Sequence, residues 1–296
     1  MASAELQMLI DMLRSSPILA DGPIEDLRSG MEAMATTMAP PADVKYEPVD
    51  AGGVPAEWAT AETAQGKQVL VYLHGGGYNL GSVRTHRMLT GGISRAAGLR
   101  VLSVDYRLAP ENPFPAAVED AVGAYRYVVK SGVAPGKIGI AGDSAGGGLT
   151  AATLLALRDD GDPLPGAAVC ISPWLDLTQS GESMTACAAI DPMVSKQALD
   201  RMAAGYLGRQ DPRTPTASPL FGDLGGLPPI LIHVGTAETL LDDSVRFAER
   251  LRKAGGEVEL EVWEDMVHVF HAFAPLLPEG TQGIDKIADF LRRKLS

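Results

Sequence analysis

Ile138-Gly139-Ile140-Ala141-Gly142-Asp143-Ser144-Ala145-Gly146 sets a short apolar run, a G-x-S-x-G turn and the start of a helical run (145–158) in direct succession. A serine on such a tight strand-to-helix turn has its hydroxyl lifted clear of the backbone, and glycines two before and two after it keep side chains out of the turn. The helix opening at Ala145 points its positive end at negative charge developing near that hydroxyl. The pattern is that of an activated nucleophile, Ser144. A glycine-rich loop that binds phosphate or only turns the chain is the bland alternative, and the strand–turn–helix setting weighs against it.

Upstream, the apolar run Val69–Leu73 leads into His74-Gly75-Gly76-Gly77. Consecutive glycines leave amide groups bare enough to approach a substrate oxygen, so the N–H groups of Gly76 and Gly77, with that of Ala145, are candidates for an oxyanion hole. On this reading His74 is a structural residue of the loop rather than a base.

Around these two motifs, short apolar runs at 101–104, 138–141, 168–171, 230–234 and Val258–Trp263 alternate with helical patterns at Ala116–Lys130, 145–158, 244–253 and 284–295. Alternation of this kind predicts an α/β fold with a largely parallel sheet covered on both faces by helices. Runs at 44–49 and 55–60 flank Gly52-Gly53 and predict an antiparallel hairpin at one edge, for eight strands in all. This is the order of the α/β-hydrolase fold, in one domain over 1–296. Between 180 and 227 the alternation lapses into helical patches and prolines, and the first forty or so residues are helical and rich in methionine (Met8, Met12, Met31, Met34, Met38). Together, about 1–40 and about 180–227 are expected to form a helical cap over the carboxyl end of the sheet.

In this fold the acid follows the serine and the histidine follows the acid. Of five histidines, His74 and His86 precede Ser144, and His233 sits inside an apolar run as a core residue. His268 follows the last strand on a loop that can reach the serine; His271, three residues on, falls within or at the start of a helix, so His268 is the expected base. For the acid, Glu238 lies in the turn after the 230–234 run, while Asp242 and Asp243 stand one helical turn further on, where capping and compensation of the helix dipole account for them. Glu238 is the expected acid, with Asp242 and Asp243 as the alternatives.

Three ordered blocks, His74-Gly75-Gly76-Gly77, Asp105-Tyr106-Arg107-Leu108-Ala109-Pro110-Glu111 and Gly142-Asp143-Ser144-Ala145-Gly146-Gly147, resemble the bacterial hormone-sensitive-lipase-like esterases, often called family IV. Pro113-Phe114-Pro115-Ala116-Ala117 and Ser172-Pro173-Trp174-Leu175-Asp176-Leu177 match further blocks of that family. The resemblance runs from about Val69 to the C-terminus. It implies a cofactor-free and metal-free carboxylic-ester hydrolase for short or medium acyl esters, and dimers paired through strand eight. Two positions depart from the family pattern: Asn112 replaces a histidine, and the region 235–243 lacks the aspartate that most members carry before proline or valine and leucine.

The chain has 296 residues, is 46% hydrophobic and 21% charged, and carries a formal charge of −12 with a pI near 4.9. It therefore repels phosphate backbones and anionic lipid headgroups, which excludes nucleic acid and membrane surfaces as expected partners. A small-molecule ester is the expected partner. Cys170 lies in an apolar run as a buried thiol, the N-terminus carries an amphipathic pattern (Leu6, Leu9, Ile10, Leu13) without a basic leader, and no apolar run spans a bilayer. A cytoplasmic location is expected. The rivals are an amide hydrolase using the same constellation, and a ligand-binding receptor on the same scaffold; retention of Ser144, His268 and a plausible acid argues against the receptor.

Overall fold

The computed structural model describes residues 3–15, 22–37 and 39–295; Met38 and the first two residues lie outside that set. Eight strands form a single sheet in the order β1-β2-β4-β3-β5-β6-β7-β8. They are β1 (Val44–Asp50), β2 (Pro55–Ala61), β3 (Val69–Leu73), β4 (Arg100–Val104), β5 (Ile138–Asp143), β6 (Ala167–Ile171), β7 (Ile230–Gly235) and β8 (Val258–Trp263). The hairpin β1–β2 and the pair β2–β4 are antiparallel, and every other pair is parallel. Gly52 and Gly53, both at positive φ, turn the hairpin, as the sequence predicts.

The apolar runs are continuous because both faces of the sheet are covered. In β3, Val69, Val71 and Leu73 enter a large core shared with helices α4 (Ala116–Lys130), α5 (Ala145–Asp159) and α8 (Leu241–Lys253). The alternate residues Leu70 and Tyr72 enter a second core beneath α3 (Arg87–Ala97) and α9 (Pro278–Lys294). The two-residue period of the strand thus assigns neighbouring side chains to opposite cores. Helix α9 begins six residues before the predicted 284, at Pro278, whose missing N–H suits a first helical position. Its early turns carry Gly280 and Gly283, which blur the apolar pattern; a Cβ on Gly283 would press on the His271 ring at 2.6 Å.

Between 180 and 227 the described chain contains α6 (Ser183–Ala186), α7 (Lys196–Leu207) and a 3-10 turn, Pro219–Phe221, and no strand. Ser195 caps α7, its hydroxyl accepting from the Ala198 amide at 3.2 Å. Of the two N-terminal helices, α1 (Ala4–Ser15) buries Leu6, Leu9 and Leu13 against Met266, Val267, Phe270, Phe273 and Leu277. Helix α2 (Ile24–Thr37) sets Ile24, Leu27 and Met31 against the large core.

Candidate active site

β5 ends at Asp143 and α5 begins at Ala145, so Ser144 is the single residue between strand and helix. Its φ of 54° and ψ of −121° lie where a non-glycine residue is strained, by about 1–3 kcal/mol. Three bonds hold it there: the Ser144 amide donates to Ile171 O at 2.8 Å, and its carbonyl accepts from Trp174 N at 2.9 Å and Gly148 N at 3.0 Å. The glycines have a direct reason. A Cβ on Gly142 would collide with the Gly146 carbonyl, and one on Gly146 with that of Leu73.

Ser144 and His268 face one cavity. His268 Nδ1 lies 2.8 Å from Glu238 Oε2, and the carboxylate's other oxygen, Oε1, accepts from the Gly235 amide at 2.6 Å and from the Ser172 hydroxyl at 2.8 Å. Ser172 Oγ in turn accepts from the Val269 amide at 3.1 Å, one residue beyond His268. Glu238 is wholly buried, with one oxygen fastened to the ends of β6 and β7 and the other presented to the imidazole. Burial alone would push the His268 pKa down; the hydrogen bond and charge of Glu238 outweigh it and hold the pKa above its ordinary value.

Neither aspartate reaches His268. Asp242 Oδ2 accepts from Ser183 N at 2.9 Å, and Asp243 Oδ2 accepts from Leu175 N at 2.7 Å and Asp176 N at 2.9 Å. They lie inside the first turn of α8, which starts at Leu241, and tie it to neighbouring segments rather than capping it. Burial pushes the Asp243 carboxyl up to about 8. His271 sits in the 3-10 turn Phe270–Phe273, with its Nε2 2.9 Å from His233 Nδ1 and away from the cavity. Both rings are buried, which pushes His233 down to about 3 and His271 well below its ordinary value.

Gly76 and Gly77, at φ 115° and 61°, also line the cavity, and none of the Gly76, Gly77 and Ala145 amides donates to another backbone group in the described loops and turns. The loop that carries the two glycines is pinned from below. Asp143 Oδ1 accepts from Gly75 N at 3.1 Å and Tyr72 OH at 2.6 Å, and Asp143 Oδ2 lies 3.3 Å from His86 Nε2. Burial would raise the Asp143 pKa, but the charge and hydrogen bonds of His86 and Tyr72 hold it below the ordinary carboxylate value. Tyr106 OH donates to His74 O at 2.7 Å, and its ring stacks on that of His74 at 4.2 Å. His74 is fully buried, which pushes its pKa down to about 3 and fits a structural residue.

The cavity holds about 500 Å³ and is walled by Met31 and Met34 of α2, Leu199 and Met202 of α7, Met193 and Phe273. Among the described residues no three His, Cys, Asp or Glu side chains are grouped to hold a metal ion, and no helix is long and apolar enough to cross a membrane. Sequence reasoning passed over Ser172 and the Asp143–His86–Tyr72 cluster. Asp143 occupies the variable place of the G-x-S-x-G turn, and Ser172 stood in a recognised block without a role.

Residues 70–272 match the family described as the alpha/beta hydrolase fold. An acetyl-hydrolase of Streptomyces hygroscopicus is 46% identical over 99% of this chain and 97% of its own length. An esterase of Acinetobacter venetianus is 37% identical over 83% of this chain and 82% of its own length. Among solved structures, an esterase from the bacterial hormone-sensitive lipase family superposes with a TM-score of 0.97 at 50% identity over the whole of both chains. EstE5, soaked with p-nitrophenyl butyrate, does so with 0.96 at 46% identity over 99% of each. With the serine elbow, glycine loop and parallel sheet in place, the chain belongs to the bacterial hormone-sensitive-lipase-like carboxylesterases of the α/β-hydrolase fold.

Proposed function

We propose that the chain hydrolyses short to medium acyl esters through a Ser144–His268–Glu238 triad and a covalent acyl-enzyme. The observation that carries this reading is the 2.8 Å bond from His268 Nδ1 to Glu238 Oε2 beside a cavity that Ser144 also faces. Held by that bond, His268 keeps its proton on Nδ1 and offers Nε2 to the serine hydroxyl. Ser144 Oγ attacks the ester carbonyl as its proton passes to His268, and the carbonyl oxygen takes up negative charge against the amides of Gly76, Gly77 and Ala145. The imidazolium, stabilised by Glu238, protonates the departing alcohol. Water repeats the sequence on the acyl-enzyme and releases the acid.

The finite methionine-walled cavity supports a preference for short chains, as does the acetyl-hydrolase relative. We assign the cap to about 1–40 and about 180–227 within a single domain; the cavity residues from α2 and α7 support this. A homodimer through β8 is part of the same proposal. Glu257, just before this outer strand, and Glu259 and Glu261 within it are paired with Lys294, Arg293 and Lys286 of α9, so the edge is not a bare anionic row. Light scattering at micromolar concentration should give twice the chain mass. Two free, buried cysteines, with Cys170 pushed up to about 12 by burial, support a cytoplasmic location.

The test is labelling by a fluorophosphonate followed by peptide mass spectrometry. One adduct should form, on Ser144. Ser144→Ala should abolish it and lower kcat about a thousandfold or more in a folded protein. Stoichiometric labelling elsewhere, or a tenth of native turnover in the variant, would refute the triad.

A further inference from the structure

The loop bearing Gly76 and Gly77 is fastened on its outer side to the cap, through a residue the mechanism above does not use. Asn79 is 3% exposed, and its Nδ2 donates to Gly77 O at 2.6 Å and to Met202 O of α7 at 3.1 Å. The Asn79 carbonyl accepts from Arg28 Nε of α2 at 2.8 Å. One side chain and its own carbonyl therefore join three segments: the glycine loop, the N-terminal helices and the 180–227 insertion.

Two further contacts fix α7 against this loop. Tyr78 stacks on Tyr206 with ring centroids 3.8 Å apart and planes 4° from parallel, and a Cβ on Gly77 would collide with Met202 Sδ. One turn beyond Met202, a Cβ on Gly205 would lie 2.7 Å from Asn79 Oδ1, so α7 leaves that oxygen only the room a glycine allows. Met202 also walls the cavity, on the same helix whose carbonyl holds Asn79.

We infer that Asn79 is a positioning residue that sets the aim of the Gly77 amide by clamping the glycine loop to α7, and that the contact of a bound acyl group with Met202 is thereby transmitted to the oxyanion hole. The inference rests on the proposed role of Gly76 and Gly77. The peptide that follows Gly77 cannot rotate while its carbonyl oxygen is held by Asn79 Nδ2, and the amide that precedes it shares that constraint through the short turn closed by Leu80 N to Gly76 O at 2.8 Å. Release of the clamp leaves ground-state binding by the methionine walls in place and degrades a donor that matters most when the carbonyl oxygen becomes negative.

Two variants separate positioning from mere structural support. Asn79→Ala removes the clamp. Gly205→Ala leaves Asn79 intact but pushes on its Oδ1, and it places a better helix former inside α7. Each is measured for thermal stability, for kcat and KM on p-nitrophenyl butyrate, and for inhibition by butylboronic acid and by butyramide. Butylboronic acid adds the serine oxygen to boron as the serine proton passes to His268, giving a tetrahedral anion that fills the oxyanion hole; butyramide reports the ground state. Both variants should lose kcat by about ten- to a hundredfold and weaken the boronate by a similar factor. KM and butyramide inhibition should stay within about twofold, and Gly205→Ala should remain folded, its gain in helix propensity opposing the cost of the close contact with Asn79. An unchanged ratio of boronate to butyramide affinity in Gly205→Ala, whatever Asn79→Ala does, overturns the inference while leaving the triad standing. If the native protein fails to bind the boronate, or Ser144→Ala binds it equally well, the triad itself falls and this inference with it.

Discussion

Replacing Glu238 by glutamine preserves the volume of the side chain and exchanges one of its two acceptor oxygens for a donor, in a fully buried site. Three donors now converge on the carboxylate: Gly235 N and Ser172 Oγ on Oε1, and His268 Nδ1 on Oε2. A glutamine that keeps its oxygen toward Gly235 and Ser172 turns its NH2 toward His268, so that Nδ1 must become an acceptor and the proton moves to Nε2. That tautomer cannot take the Ser144 proton. The flipped amide instead sets its NH2 against the Gly235 N–H, two donors face to face in a fully buried site. The imidazolium also loses its counter-charge. A tautomer error of this kind lowers kcat by about ten-thousandfold, or about 5 kcal/mol of transition-state stabilisation. The assay is kcat on p-nitrophenyl butyrate across pH, with circular dichroism to verify folding. In the native enzyme the acid limb of kcat/KM should have its midpoint above the ordinary histidine value, because Glu238 holds His268 protonated longer and only the neutral imidazole accepts the serine proton. Activity falls as pH drops through that midpoint, and the variant's midpoint should lie lower. Glu238→Gln within about tenfold of native kcat, or a larger loss in Asp242→Asn or Asp243→Asn, would refute the argument.

Gly76→Ala should cost at least about a hundredfold in kcat, since the new Cβ collides with the Leu80 carbonyl at a residue whose φ is 115°, and the loss should appear in kcat rather than KM. In a series of p-nitrophenyl esters, kcat/KM should peak at chains near butyrate and fall for ten or more carbons, as the cavity of about 500 Å³ fills; a rise along the series would contradict a finite pocket. Unfolding by urea should become easier as pH falls from about 6 to about 4. His74, His233 and His271 stay neutral when folded and take up protons when unfolded, about 1.4 kcal/mol per pH unit each, and together they outweigh Asp243 and Asp105, whose carboxyls burial raises in the folded protein and which act in the opposite sense. Flat or rising stability over that window would contradict the burial of those rings.

Much of the site was legible because its chemistry demands residues that stand out. Only glycine passes at Gly142 and Gly146, so the elbow announces itself in five letters, and the order of serine, acid and histidine narrows the partners of Ser144. Glu238 stands out as the candidate acid by its place after β7. Ser172 does not, because a serine at a strand end is ordinary until it is seen 66 residues from the acid it holds. Helix α3 escaped notice since Thr90, Gly91 and Gly92 weaken its helical pattern, although Gly92 is where Ile284 of α9 packs close. The alternating Glu257, Glu259 and Glu261 give the β8 edge an acidic face in the sequence. Its neutralisation comes from α9, whose basic residues are distant in sequence and are placed there only by the fold.

The burial of α1 bears on how the specificity of this enzyme could be altered by transplanting caps from relatives. Leu6, Leu9 and Leu13 rest on Met266, Val267, Phe270 and Phe273, the residues that bracket His268, while none of the three leucines lines the substrate cavity. A graft that exchanges the N-terminal helices changes the floor beneath His268 along with a wall of the cavity. A chimaera joined only at the end of α2 therefore mixes two effects, and a loss of turnover in it says nothing about the new pocket. Carrying the segment 266–277 together with its matching α1 keeps the two surfaces cut to each other, and leaves α2 and α7 as the parts to vary for a different acyl group.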